Sequence, residues 1–225
     1  MKVIDPTISS FESLIAGGNL YVDKTAYIYK LVTGPRMVFF SRPRRFGKSL
    51  TVSTLDALFR GKRNLFAGLA IDSLPYDWKV HPVIHIDFAG CHKKNASEVN
   101  SWLNGCLQGI AQGYSVSPQW NGSCDNNLAS LIQALSAKGE VVVLIDEYDK
   151  VISDNIFNPE VEGIRDLLGG FYETIKFQNA RIRFAFITGV TKYAKLSVFS
   201  KMNKPVRHKH GLRLCSDVRL LAGRA

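Results

Sequence analysis

The stretch MVFFSRPRRFGKSLTVSTL, residues 37 to 55, contains an apolar run, a short basic loop with Gly47-Lys48-Ser49, and a segment with helical spacing of apolar residues. A strand that leads through such a loop into a helix is typical of a phosphate-binding loop, because backbone N–H groups and a helix amino terminus attract an anion. Gly47 would let the backbone approach closely, Lys48 would reach the terminal phosphates, and Ser49 would offer its hydroxyl to Mg²⁺. The sequence therefore predicts a nucleotide site here.

Arg42 departs from the general G-x-x-x-x-G-K-[ST] pattern, which has glycine at this position. Pro43 fixes its own φ and pushes Arg42 toward extended backbone, so we expect the loop to begin along a different path. Arg44 and Arg45 either contact phosphate oxygens or remain solvated. An accidental Gly-Lys-Ser is the alternative for this stretch taken alone.

A second pattern, VVVLIDEYDK at residues 141 to 150, consists of five apolar residues followed by acids. It predicts a central parallel strand that is buried on both faces. Asp146 would help to hold Mg²⁺, and Glu147 would orient or activate the attacking water. The alternative is an ordinary buried strand whose end meets solvent. Both patterns together, in this order, favour a nucleotide site more strongly than either does alone.

A third pattern is ITGVTK, residues 187 to 192, at the end of the next predicted strand. A polar side chain at this place can sense the γ-phosphate, with Thr188 as the first candidate and Thr191 as the second. The alternative is turn chemistry, because Thr-Gly is common where strands end.

Strands and helices alternate along the chain, which predicts an α/β fold with a mainly parallel sheet. The predicted strands cover residues 37–41, 82–88 and 183–188, together with the apolar run within residues 141–150 that ends in acids. The predicted helices cover residues 10–16, a segment after Thr25, 48–60, 96–114, 127–137 and 159–177.

Composition excludes several classes of protein. The 225 residues are 46% apolar, which argues against disorder, and four cysteines show neither zinc-ribbon nor C-x-x-C spacing. Neither a signal-peptide pattern nor an apolar run of about 18 to 20 residues occurs, so we expect a cytoplasmic protein without a membrane partner. The net charge is +10, and residues 201–225 carry seven Lys and Arg against one acid. Nucleic acid is therefore an alternative partner, through this tail and a set of basic residues comprising Arg36, Arg42, Arg44, Arg45, Arg60, Lys62 and Arg63.

Five segments resemble the predicted AAA-ATPase-like family of bacteria and archaea: YVDKT, RPRRFGKSL, HPVIHIDF, LIDEYDK and ITGVTK. The resemblance covers residues 1 to about 203, and in that family arginine regularly replaces the first glycine of the loop. It implies a P-loop NTPase three-layer sandwich of the additional-strand type, with strand order 5-1-4-3-2, and ATP and Mg²⁺ as ligands. The nucleotide-binding residues that it implies are Asp23, near the adenine, and Arg44, Arg45, Phe46, Gly47, Lys48, Ser49 and Leu50.

The resemblance ends near residue 203. We therefore divide the chain into an ATPase-like domain, residues 1–203, and a divergent basic tail, residues 204–225. The tail contains no convincing fifth strand or lid, and the nuclease-like domain that follows in many members of the family is not expected in it. We interpret the chain as a truncated or frame-shifted member. Such a member is expected to bind nucleotide less well and to associate, as a homo-oligomer, or aggregate through the bare sheet edge.

The leading functional prediction is an ATPase that hydrolyses ATP with Mg²⁺ and acts as a molecular switch. The alternatives are a catalytically silent module that binds nucleotide or nucleic acid, and an inactive truncated family member.

Overall fold

The computed structural model describes residues 8–190. Within this range four parallel strands form one sheet in the order β1-β4-β3-β2. Their bounds are Met37–Ser41 for β1, Val83–Asp87 for β2, Val141–Asp146 for β3 and Ile182–Gly189 for β4. The predicted α/β class and parallel sheet are confirmed, and the order matches the 1-4-3-2 part of the expected arrangement.

The strand β3 lies inside the sheet, between β2 and β4, and all six of its residues are buried. Successive side chains of a strand point to opposite faces, so its apolar run serves two cores at once. Val141, Val143 and Ile145 pack into one core, and Val142 and Leu144 pack into the other. A continuous run of branched apolar residues is therefore what this position requires.

Helices cover both faces of the sheet. Their bounds are α1 Phe11–Ala16, α2 Thr25–Val32, α3 Lys48–Phe59, α4 Ala96–Gly113, α5 Cys124–Ser136, α6 Lys150–Asp154 and α7 Val161–Phe177. The core on one face joins α4, α5 and α7, and the core on the other joins α1, α2 and α3. Four short 3₁₀ turns lie at residues 63–66, 70–73, 88–90 and 179–181.

Two helix starts show the local chemistry. The Ser10 hydroxyl accepts a hydrogen bond from the Ser13 N–H, which caps α1. The helix α5 begins at Cys124, three residues earlier than the sequence predicts, because the Asn100 side chain on α4 accepts a hydrogen bond from the Cys124 N–H at 2.8 Å. The contact with Asn100 is not visible in the local sequence, whereas Ser123 at the N-cap and Asp125 in the first turn are local signals.

The prediction for the strand β1 is confirmed residue for residue, and α7 begins at Val161 rather than at Pro159. Among residues 8–190, no helix is both long and apolar enough to cross a bilayer. Three sequence-based expectations concern residues outside the described range, 8–190. They are the expectation on a fifth strand and lid, the basic tail at residues 204–225, and the second candidate Thr191.

Candidate nucleotide site

The carboxyl ends of the parallel strands bring the predicted site residues to one edge of the sheet. The loop after β1 lies there together with Thr188 near the end of β4, and with Asp146 and Glu147 at the end of β3. This edge, where strands lead into loops and helices, is where open α/β sheets bind ligands. The two patterns, which about a hundred residues separate in the sequence, thus lie at the same end of the sheet.

The loop backbone alternates in handedness. Arg45 and Gly47 have φ values of +67° and +71°, whereas the φ values of Arg44, Phe46 and Lys48 are not positive. Alternation of this kind turns successive N–H groups toward one concavity, which is the backbone nest that binds anions. Gly47 also precedes the first turn of α3, and no side chain caps that turn. The N–H groups at the start of α3 are therefore left for a ligand.

The expected extended conformation of Arg42 fits the structure. Its N–H donates to the Gly189 carbonyl at 3.1 Å, so the pairing of β1 with β4 continues by one residue into the loop. The guanidinium of Arg42 lies over the Phe40 ring, 5.3 Å from its centroid. Arginine at this position of the loop is thus compatible with an ordered strand end.

Lys48 is 6% exposed, although lysine is almost never this deeply buried without a partner. Its ammonium donates a hydrogen bond to the Pro43 carbonyl at 3.1 Å, across the loop. The neighbouring Ser49 and Leu50 are half-buried in the first turn of α3, whereas Arg44, Arg45 and Phe46 are exposed. The loop thus combines one buried cation, Lys48, with the two exposed guanidinium groups of Arg44 and Arg45.

The acidic end of β3 is organised by a buried hydroxyl. Thr188 donates a hydrogen bond to Asp146 Oδ1, and both residues are buried. The Glu147 N–H contacts Asp146 Oδ1 at 3.1 Å and the Thr188 hydroxyl at 3.2 Å. Among the described residues, Asp146 Oδ2 has no hydrogen-bond donor, so one carboxylate oxygen remains to bind a cation.

Burial raises the pKa of the Glu147 carboxyl, and the negative charges of Asp146 and Asp87 raise it further. The positive charges of Lys48 and Lys150 act in the opposite direction. A carboxyl whose pKa is raised at the edge of a sheet is typical of a general base.

Comparison with known proteins identifies the family. A family described as Predicted AAA-ATPase matches residues 6–199. The chain belongs to the predicted AAA-ATPase family. The resemblance that the sequence motifs indicated is confirmed.

One relative of this AAA-ATPase-like chain is described as "Uncharacterized protein in vnfD 5'region" of Azotobacter chroococcum mcd 1. The two are 40% identical over 202 residues, which are 87% of this chain and 39% of the relative. The chain thus spans about two fifths of the length of this curated relative. No solved structure matches the chain.

Asp23, which the sequence predicts to lie near adenine in this AAA-ATPase-like chain, stabilises the local fold in the structure. Its carboxylate accepts hydrogen bonds from the Thr25 N–H at 2.8 Å, the Thr25 hydroxyl at 2.7 Å and the Ala70 N–H at 2.7 Å. Burial alone would raise the pKa of Asp23, but these hydrogen bonds outweigh it and lower the pKa. Asp23 therefore fastens the start of α2 to the 3₁₀ turn at residues 70–73, and its contact with adenine stays a prediction.

Some of the basic residues that could bind nucleic acid already form ion pairs within the AAA-ATPase-like fold. Three of them form ion pairs with acidic residues, namely Arg60 with Asp56, Lys62 with Glu12, and Arg63 with Asp72. Each pair neutralises a charge that a polynucleotide phosphate would need. These contacts weaken the nucleic-acid alternative.

The donor set at the site suits magnesium bound together with a nucleotide. No group of three or more His, Cys, Asp or Glu side chains within residues 8–190 could hold a metal ion. Mg²⁺ typically takes one or two protein ligands and completes its shell with phosphate oxygens and water. Asp146 Oδ2 and the Ser49 hydroxyl fit that role.

Proposed function

We propose that the protein binds ATP with Mg²⁺, hydrolyses it, and uses the cycle as a molecular switch. The observation that carries the proposal is the nest at Arg45 and Gly47, with the buried Lys48 at its base, beside the acidic end of β3. A concavity of N–H groups, a cation and an acid-base carboxyl are together suited to a triphosphate and to its cleavage.

In this proposal the phosphates are bound by the backbone of residues 45–49 and by the amino terminus of α3. The Lys48 ammonium exchanges the Pro43 carbonyl for phosphate oxygens, a better partner because it is charged. Arg44 and Arg45, at the exposed rim, contact phosphate oxygens from outside.

Asp146 and Ser49 would hold Mg²⁺, which neutralises charge that develops on the phosphate oxygens. Glu147 accepts the proton of the attacking water, for which its raised pKa suits it. The Thr188 hydroxyl holds the Asp146 carboxylate and the Glu147 backbone in position, because it donates a hydrogen bond to the first and accepts one from the second. In this role Thr188 acts on the acidic residues directly, and contact with the γ-phosphate is the additional role predicted from the sequence.

Calorimetry of Mg-ATP binding with Lys48→Ala tests the first half of the proposal. The loss of a charge-assisted hydrogen bond should weaken binding by about 10- to 150-fold. Lys138→Ala is the matched control, because this exposed lysine precedes β3 at the opposite edge of the sheet. Equal affinities of the Lys48 variant and the wild type would refute the phosphate loop.

Phosphate release by Glu147→Gln tests the second half. We expect this variant to bind Mg-ATP normally and to lose turnover, whereas Glu140→Gln, just before β3, should behave as wild type. Turnover that survives in the Glu147 variant would remove that residue from the mechanism. Binding without turnover in the wild type would instead leave the silent nucleotide-binding module.

A further inference from the structure

The turn that carries Glu147 is attached to the helix α7 by a buried tyrosine. The Tyr172 hydroxyl donates a hydrogen bond to the backbone carbonyl of Tyr148 at 3.1 Å, and Tyr172 is 1% exposed. A buried phenol without a hydrogen-bond partner is costly, so its partner matters for stability. Here the partner is the main chain of the residue that follows Glu147.

Glu147 itself has an unusual backbone conformation. Its φ is +54°, in the left-handed region, where a residue with a side chain costs roughly 1–2 kcal/mol. Such a residue persists only when surrounding contacts hold it. The Glu147 N–H is held by Asp146 and Thr188, so the amino side of the residue is fixed.

The carboxyl side of Glu147 is fixed through Tyr148. The Tyr148 N–H donates to the Thr188 carbonyl at 2.9 Å, which fastens the turn to β4. The Tyr148 carbonyl accepts from Tyr172, which fastens the turn to α7. Contacts with two separate elements, β4 and α7, thus help to hold the peptide after Glu147 in place.

We propose that Tyr172 is a positioning residue that holds Glu147 in its productive place through the Tyr148 carbonyl. The inference rests on the proposed ATP hydrolysis, because it assigns a role to a residue behind the same site. Burial raises the pKa of Tyr172 far above its ordinary value, so its hydroxyl remains a donor across the working pH range. The alternative is that Tyr172 is only a core aromatic, in contact with the rings of Phe88, Tyr148 and Phe171.

Steady-state kinetics of Tyr172→Phe in the full chain separates these roles, because phenylalanine keeps the ring and removes the hydroxyl. We expect kcat to fall by about 2- to 10-fold, the range for loss of one hydrogen bond, with KM and the affinity for Mg-ATP unchanged. Replacement of Tyr172 by p-aminophenylalanine, which has an N–H donor at the same place, should restore kcat. This second variant also serves if Tyr172→Phe does not fold.

Tyr114→Phe is the matched control. The Tyr114 hydroxyl also holds buried main chain, since it accepts a hydrogen bond from the Val83 N–H at 2.7 Å, but it does so at the start of β2, away from the site. We expect this control to melt at a lower temperature and to keep its kcat. Any of three results would overturn the inference: kcat is unchanged in Tyr172→Phe, kcat falls equally in Tyr114→Phe, or p-aminophenylalanine does not restore kcat. In each case turnover by the wild type would still support the proposed function. Absence of turnover in the wild type would overturn both.

Discussion

The replacement Gly189→Ala should displace the turn that carries Glu147. Gly189 is the last residue of β4, and a Cβ added there would lie 2.3 Å from Tyr148 Cε1, 2.6 Å from Tyr148 Cδ1 and 2.8 Å from Asp149 Oδ1. Its φ is not in the positive range, so the backbone itself accepts alanine. The clash with the turn is therefore the physical cause of any effect.

The size of the effect follows from these distances. Ordinary contact begins at 3.4 Å, so the Tyr148 ring would have to retreat by about 1 Å. Tyr148 and Asp149 are each 3% exposed, so neither can move into solvent. Overpacking typically costs about 1–3 kcal/mol, and we expect the upper half of this range here. For a domain of this size that corresponds to a fall in Tm of about 4–12 °C.

Differential scanning calorimetry and phosphate release measure the two consequences. We expect turnover to fall more than affinity for Mg-ATP, because the displaced turn carries Glu147, the proposed base, and not the proposed phosphate loop. Gly169→Ala in α7 is the control, since a Cβ there meets nothing within 4 Å and alanine favours a helix by about 0.5–1 kcal/mol. A Gly189→Ala protein with wild-type Tm and turnover would refute the close packing of the turn on β4.

Three further predictions concern charged groups. Asp87→Asn removes a charge that raises the pKa of Glu147, so the acid limb of the kcat–pH profile should move to lower pH; an unmoved limb in steady-state assays from about pH 4 to 8 would contradict this. Glu147→Gln should raise Tm at neutral pH, because a carboxyl whose pKa is raised in the folded state loses its stabilising contribution as pH rises through that pKa. Below the ordinary glutamate pKa the carboxyl is protonated in both states, so the gain in Tm should vanish there. Calorimetry at two pH values can check both results. Asp23→Ala should cost about 1–2 kcal/mol through the lost contacts with Thr25 and Ala70, whereas an unchanged urea midpoint would show that they contribute little.

Much of the fold could be predicted because its signals are local. The strand β3 is a continuous branched apolar run, and β1 is bounded by Gly34-Pro35 before it and by Pro43 after it, so both could be located from the sequence. The short helix α6 was not predicted, since five residues after an acidic turn leave no periodic pattern. The contact of Asn100 with the start of α5 involves another helix, which no local rule contains.

For the candidate site, the sequence indicates which residues lie at the same end of the sheet but not the backbone conformation they adopt. Lys48 and the acidic end of β3 lie at the same end of the sheet because the carboxyl ends of parallel strands share it. The left-handed backbone of Arg45 and Glu147 could not be predicted, because neither residue type favours it and only tertiary contacts hold it. Tyr172 has the pattern of an ordinary core aromatic on α7, and its hydrogen bond to Tyr148 emerges only when the helix is packed.

The pairing of β1 with β4 has a consequence for biosynthesis. Met37 lies opposite Ala185, and among the described strands β4 is the neighbour of β1 in the sheet. Ribosomes add about 5–20 residues per second, so the proposed phosphate loop is translated roughly 7–30 s before β4. During that interval the apolar strand and its arginine-rich loop are exposed on the nascent chain without a sheet to join. The loop that we propose to bind phosphate is therefore made early, but it joins its neighbouring strand only after β4 has been translated.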